Sequence, residues 1–142
     1  MKMTATLSDH INDIDWERLA LIFERAPLGT RDPAVLRQVF KKSGVRCFAW
    51  DQKELIGAGR AITDGVRYAV IFDVVVLPEY QGRGIGKQIM AFLAERSKAA
   101  NILLHAVPGK EAFYQKLGYR KMTTAMARFE NPEVQWQRGY IE

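Results

Sequence analysis

Between Gln81 and Lys87 the chain sets three glycines at alternate positions, Gln81-Gly82-Arg83-Gly84-Ile85-Gly86-Lys87. Glycines at the start of a helix leave backbone N–H groups bare, and the helix dipole adds partial positive charge there. The segment reads as a cradle for a diphosphate, with Arg83 and Lys87 contributing charge. A P-loop requires Ser or Thr after Gly-Lys, but Gln88 follows Gly86-Lys87, so the magnesium-binding hydroxyl is missing. A dinucleotide fingerprint spaces its glycines G-x-G-x-x-G, with an acid about 20 residues on. Here the glycines alternate, and Ala106 to Pro108 stand at that distance. A second chemistry-bearing residue, Asp73, interrupts the apolar run from Tyr68 to Leu77. A buried carboxylate is costly unless it is paired or protonated.

The glycine segment follows Val74-Val75-Val76-Leu77-Pro78 and precedes the helix-like Gln88-Ile89-Met90-Ala91-Phe92-Leu93. In that setting it resembles the acetyl-CoA-binding motif Gln/Arg-x-x-Gly-x-Gly/Ala of the GCN5-related N-acetyltransferases. Glu111-Ala112-Phe113-Tyr114-Gln115-Lys116-Leu117-Gly118-Tyr119 is similar to the family's Phe-Tyr-x-Lys-x-Gly-Phe segment. The stretch around Phe72-Asp73-Val74-Val75-Val76 is nearest in motif to arylalkylamine (serotonin-type) members. Together these segments and their flanks span residues 45 to 129. One departure is that many members carry Asn and Ala where this chain has Val107 and Lys110.

The resemblance implies a cofactor site. Backbone groups of Val74 and Val76 would bind the pantetheine arm and face the thioester carbonyl, with Val75 beside them. Backbone amides of Gln81, Gly82, Arg83, Gly84, Ile85, Gly86 and Lys87 would meet the pyrophosphate of acetyl-CoA. Buried core is the plain alternative for the three valines, and the two are compatible, because side chains can pack while the backbone binds. Tyr114 is implied as the general acid that protonates the departing thiolate, since a phenol's pKa near 10 lies closer to a thiol's than a carboxylic acid's does; its alternative is an aromatic packed like Phe113.

Asp73 admits three roles: a base raised toward neutrality by desolvation, a binder of the substrate's ammonium group, or a structural carboxylate paired with Arg60 or Arg67. Glu79 reads as a solvated loop residue. His105 reads as a structural strand-end histidine, with a proton relay as its alternative. Phe23, Trp50, Phe72 and Tyr119 are candidates to line an acceptor pocket.

The elements that must position these residues alternate as in a mixed α/β domain. Met3 to Leu7 is a plausible edge strand. Asp15 caps a helix to about Glu24 with Trp16, Leu19, Ala20 and Phe23 on its apolar face. Asp32-Pro33 starts a second helix, burying Val35, Leu36, Val39 and Phe40 and ending at Ser43-Gly44. Strands follow at 45–50, 54–61 and 66–77, joined by turn residues as an antiparallel meander. A helix at 84–98, a strand at 101–106, a helix from Pro108 to the left-handed cap Gly118, and a strand at 124–129 complete the chain. The tail 131–142 shows no period. The expected architecture is one domain, residues 1–142, with a mostly antiparallel sheet of six to seven strands flanked by about four helices.

At 142 residues with 48% hydrophobic and 26% charged content, the chain suits one globular domain burying about two-thirds of its unfolded surface. The single Cys47 excludes an internal disulfide and cysteine-based metal ligation, so it reads as a buried small apolar residue, and no metal is expected. No signal peptide or apolar stretch of about 20 residues is evident, which points to the cytoplasm and away from a membrane. The net charge of +5 is scattered without aromatic interleaving. It suits an anionic cofactor rather than nucleic acid.

The resulting expectation is an acetyl-CoA-dependent N-acetyltransferase acting on a primary amine of a small molecule, of arylalkylamine or polyamine type, as monomer or homodimer. Acetylation of protein lysines or N-termini, and a non-catalytic acetyl-CoA sensor, are the competing classes.

Overall fold

The computed structural model describes residues 2–142. The chain divides into two compact units, Met1–Leu104 and His105–Glu142, each described by itself.

The first unit carries β1 (Thr6–Ser8), α1 (Trp16–Arg25), α2 (Pro33–Lys42), β2 (Val45–Asp51), β3 (Glu54–Thr63), β4 (Tyr68–Val76), a 3-10 turn (Pro78–Tyr80), α3 (Ile85–Ser97) and β5 (Asn101–Leu103). Local chemistry explains the helix starts. Asp15 accepts from the Arg18 amide at 3.1 Å and Asp32 from the Ala34 amide at 2.8 Å, with Pro33 in the first turn. The turn before β4 is an Asx arrangement in which one Asp64 carboxylate oxygen accepts from the amides of Val66, Arg67 and Tyr68.

The strands form one sheet in the order β1-β2-β3-β4-β5. Pairing is antiparallel from β1 to β4, and β5 lies parallel to β4. This is the mixed, mostly antiparallel α/β class expected, with five strands among the described residues instead of six or seven. Residues 124–129 pair with no strand: Ala125, Met126 and Ala127 at their centre have little preference for a pleated surface.

Helices cover both faces of the sheet. Phe40 of α2 stacks on Phe48 of β2 at 5.5 Å, and Trp16 of α1 meets both rings at 5.9 and 6.0 Å. Phe48 pairs with Ala58, so this face carries Ala58 and Arg60. The alternate residues, Gly57 and Gly59, lie under α3: a Cβ added at Gly59 would stand 2.9 Å from both Ile89 and Leu93. The absence of side chains there lets α3 sit close to β3. Leu19, Ile22, Phe23, Leu36, Ile56, Leu77 and Leu93 complete the core. Val35, expected on the buried side of α2, is 52% exposed, because Leu36 and Phe40 already define the inward stripe one position away.

The second unit contains α4 (Glu111–Lys116) and α5 (Pro132–Gln137). Gly118 has φ +94°, and the Tyr119 and Gly118 amides return to the Tyr114 and Gln115 carbonyls, a Schellman cap at the expected glycine. α5 lies in the tail where no period was read. Asn131 accepts from the Val134 amide, Pro132 opens the helix, and Gly139 closes it at φ +83°. Among the described residues no helix is long and apolar enough to cross a membrane.

Candidate active site

The glycine segment forms the turn between the 3-10 turn and α3. Gly82 and Gly84 adopt φ +78° and +87°, a left-handed conformation that side chains disfavour. Space beside them is open: a Cβ on Gly82 would meet nothing within 4 Å, and one on Gly84 only the Gln88 amide nitrogen at 4.0 Å. The amide of Gln81 bonds Pro78, and the first intrahelical bond runs from Gln88 to Gly84. The amides of residues 85–87 therefore fall at the helix N-terminus, where no intrahelical acceptor exists. This is a fit for an anionic diphosphate: unsatisfied donors, the positive helix end, and room where side chains would intrude.

The turn is braced from several directions. Tyr80 donates to Asp51 at 2.7 Å, and the Arg83 guanidinium lies over the Tyr80 ring at 5.3 Å. Gln88 accepts from Ala5 and donates to Met3, while the Met3 amide bonds the Arg83 carbonyl. Glu79 is exposed, as expected, but not merely solvated. Arg25 grips both its oxygens, and that bond holds the carboxyl below the usual range.

β4 leads into this turn and departs from regular pleating at one point. Arg60 pairs with Phe72 and Ala58 with Val75, so Gly59 alone faces two residues, Asp73 and Val74. Asp73 takes φ +60°, the left-handed region, at a cost of about 1 kcal/mol for a residue with a Cβ. This bulge inverts the alternation of the strand. Leu77 donates to Ile56 of β3, so Val75 also turns its backbone toward β3, and Val74 and Val76 turn theirs away. The Val76 carbonyl accordingly accepts from the Gln81 side chain at 2.9 Å. On that outward side β5 pairs only with Tyr68, Ala69 and Val70, which leaves the end of β4 unpaired by β5. Val75 is thus placed differently from its neighbours. Its side chain is 2% exposed and its carbonyl lies toward Gly57, so it serves packing rather than a ligand.

Asp73 sits between two arginines. Arg60 Nε donates to Oδ2 at 2.7 Å and Arg31 Nη1 to Oδ1 at 3.0 Å, and the carboxylate side chain is 14% exposed. Arg60 is one of the two partners anticipated; Arg67 lies instead over the Tyr68 ring. Arg31 was not anticipated, because a pairing across 42 residues leaves no local trace in sequence. The same guanidinium groups stack on Phe23 at 4.3 Å and on Phe72 at 5.0 Å. Phe23, at 0% exposure, is core and not a pocket wall.

Tyr114 belongs to the second unit, on α4. Burial raises its pKa, and neighbouring Tyr119 and Tyr140 act in the same direction. Its ring meets Phe113 at 4.9 Å and Tyr119 at 6.3 Å. His105 lies edge-on to Tyr140 at 5.6 Å.

Comparison with known proteins bears on the family and the fold. An uncharacterized N-acetyltransferase, ycf52, of Porphyra purpurea is 41% identical over 70 residues, 47% of this chain and 40% of that protein. Histone acetyltransferase TAP1 of Glycine max is 40% identical over 72 residues, 49% of this chain and 31% of that protein. The matched segments span less than half the length of either relative. A protein of unknown function from meticillin-resistant Staphylococcus aureus, described as a probable acetyltransferase, superposes with a TM-score of 0.77 at 20% identity, covering 90% of this chain and 99% of that one, and so shares the fold. A family model described as an acetyltransferase (GNAT) domain matches residues 43–121, more than half of the 142 residues. The chain belongs to the GNAT acetyltransferase family.

Proposed function

We propose that this chain is an acetyl-CoA-dependent N-acetyltransferase that acylates a primary amine of a small molecule, of arylalkylamine or polyamine type. The observation that carries the reading is the juxtaposition of two features. One is a glycine turn with donor amides lacking internal acceptors; the other is a preceding strand whose last residues, Val74 and Val76, turn their backbone outward.

In this reading the amides of residues 82–87, with Arg83 and Lys87, hold the diphosphate; the Gln81 amide, implied as a further donor by the resemblance, is already bonded to the Pro78 carbonyl. Val74 and Val76 present an N–H and a carbonyl to the arm and thioester. Acetyl-CoA supplies the activated acyl group. Polarising its carbonyl with fixed backbone donors stabilises charge where it develops, without reorganisation. Tyr114, a phenol protonated at neutral pH and made still less acidic by burial, is the proposed donor to the leaving thiolate. Both oxygens of Asp73 are engaged by guanidinium groups, which supports a holding role over proton abstraction.

A second reading, acetylation of protein lysines, is favoured by the name of one relative, the histone acetyltransferase of Glycine max. One assay separates the readings. Thiol release from acetyl-CoA is followed with a panel of arylalkylamines and polyamines beside lysine peptides. Turnover with the small amines and not the peptides supports the proposal. The reverse supports the second reading. Binding of acetyl-CoA without thiol release in any arm points to a sensor.

A further inference from the structure

The ion pairs of Asp73 reach further than the strand that carries them. Arg31 lies just before α2 and also contacts the Leu28 carbonyl at 3.4 Å. Arg60 Nη1 donates to Ser43, the residue that closes α2, at 3.2 Å. Ser43 is 4% exposed and returns its hydroxyl to the Val39 carbonyl. Both ends of α2 therefore converge on one carboxylate. That carboxylate belongs to the residue whose left-handed backbone creates the bulge.

We propose that Asp73 is a positioning residue: gripped by Arg31 and Arg60, it locks the β4 bulge and makes the outward register of Val74 and Val76 depend on how α2 is seated. This rests on the transferase reading for its consequence in catalysis, though not for its structural content. The left-handed backbone is unfavourable for an aspartate unless the surroundings over-determine it. Two guanidinium donors from different elements, each stacked on a phenylalanine ring, supply that determination. Arg60 is the more buried brace, its side chain 15% exposed, and Arg31, at 31%, is the one within reach of events at the α1–α2 connection.

The test compares the native protein with Asp73→Asn, Arg31→Ala and the double variant. Hydrogen exchange is followed at Leu28, whose amide bonds the Phe23 carbonyl, and at Val75 and Leu77, whose amides face β3, together with acetyl-CoA affinity and turnover. Arg31→Ala alters a side chain that is 31% exposed and should keep the fold. It should accelerate exchange at both places at least tenfold, and Asp73→Asn should do the same. The double variant should add little to either, as for residues acting through one contact. Acetyl-CoA affinity should fall less than kcat does, because the diphosphate contacts of the glycine turn are untouched and only the strand contacts to the arm are disturbed, while kcat falls at least tenfold with its pH profile unmoved. Exchange at Val75 and Leu77 unchanged in Arg31→Ala overturns the coupling. A pH profile displaced by Asp73→Asn assigns the residue to proton transfer instead. A native protein that neither binds nor turns over acetyl-CoA overturns the transferase reading, and the exchange data still decide the role of Asp73.

Discussion

At the scale of single residues, Tyr114 and Cys47 show how burial, the largest influence on each, sets chemical behaviour. Tyr114→Phe removes one oxygen and preserves the ring contacts with Phe113 and Tyr119. If the phenol donates the proton, turnover should drop by about 10²-fold, with acetyl-CoA affinity within twofold of native by calorimetry. Equal turnover removes the acid role. The acid form of a tyrosine persists through neutral pH in any case, and because burial raises the pKa further, activity should decline only above the ordinary tyrosine range. Cys47 is fully buried, and burial pushes its thiol from 9.0 up to about 12. It should resist alkylation at pH 8 in the native state and react on unfolding. The sign of the linkage follows. The folded chain holds this proton more tightly, so the contribution is complete below about pH 9. It is lost as pH rises toward 12, which a denaturant series across that window would show.

Elements are where sequence reasoning succeeded unevenly, and the cradle is the place to test it. Gly84→Val sets a β-branched side chain at φ +87°, beside the helix N-terminus. Acetyl-CoA binding should be abolished. The same backbone strain applies at Gly65, φ +75°, in the turn between β3 and β4, where a Cβ also meets nothing within 4 Å. Gly65→Val should therefore cost similar stability, on the order of 1–2 kcal/mol, and retain binding. Loss of binding in both would show that the glycine turn matters through folding alone. The turn was legible because its signals are local: a proline after valines, glycines at alternate positions, then helical periodicity. Helix caps at Asp15, Asp32 and Gly118 were legible for the same reason. The bulge was not, since it exists only in the register between Gly59 and the pair Asp73–Val74, which no single strand encodes. That register decides which valine backbones face outward, so Val75 could not be told from Val74 and Val76 by sequence. Asn131-Pro132 repeats the Asp32-Pro33 start signal, but a six-residue helix is too short to show a period.

For the molecule as a whole, the relevant quantity is charge. The net +5 is spread over the chain, while the cradle itself relies mainly on backbone dipoles, with Arg83 stacked on Tyr80 and Lys87 exposed. These two sources of attraction differ in range. Contacts with main-chain amides act at hydrogen-bond distance and are little screened. The field of a cationic protein acts over a Debye length, about 10 Å at 0.1 M salt and roughly 3 Å at 1 M. A polyanionic cofactor should therefore associate more slowly as salt rises from 0.05 to 0.5 M, by about three- to tenfold in stopped-flow measurements. Its dissociation rate should change less than twofold. Arg83→Gln with Lys87→Gln should flatten that dependence only in part, because the remaining charge lies elsewhere. If the double variant abolished the salt effect entirely, attraction would be local to the turn, and the overall basicity would need another partner to explain it.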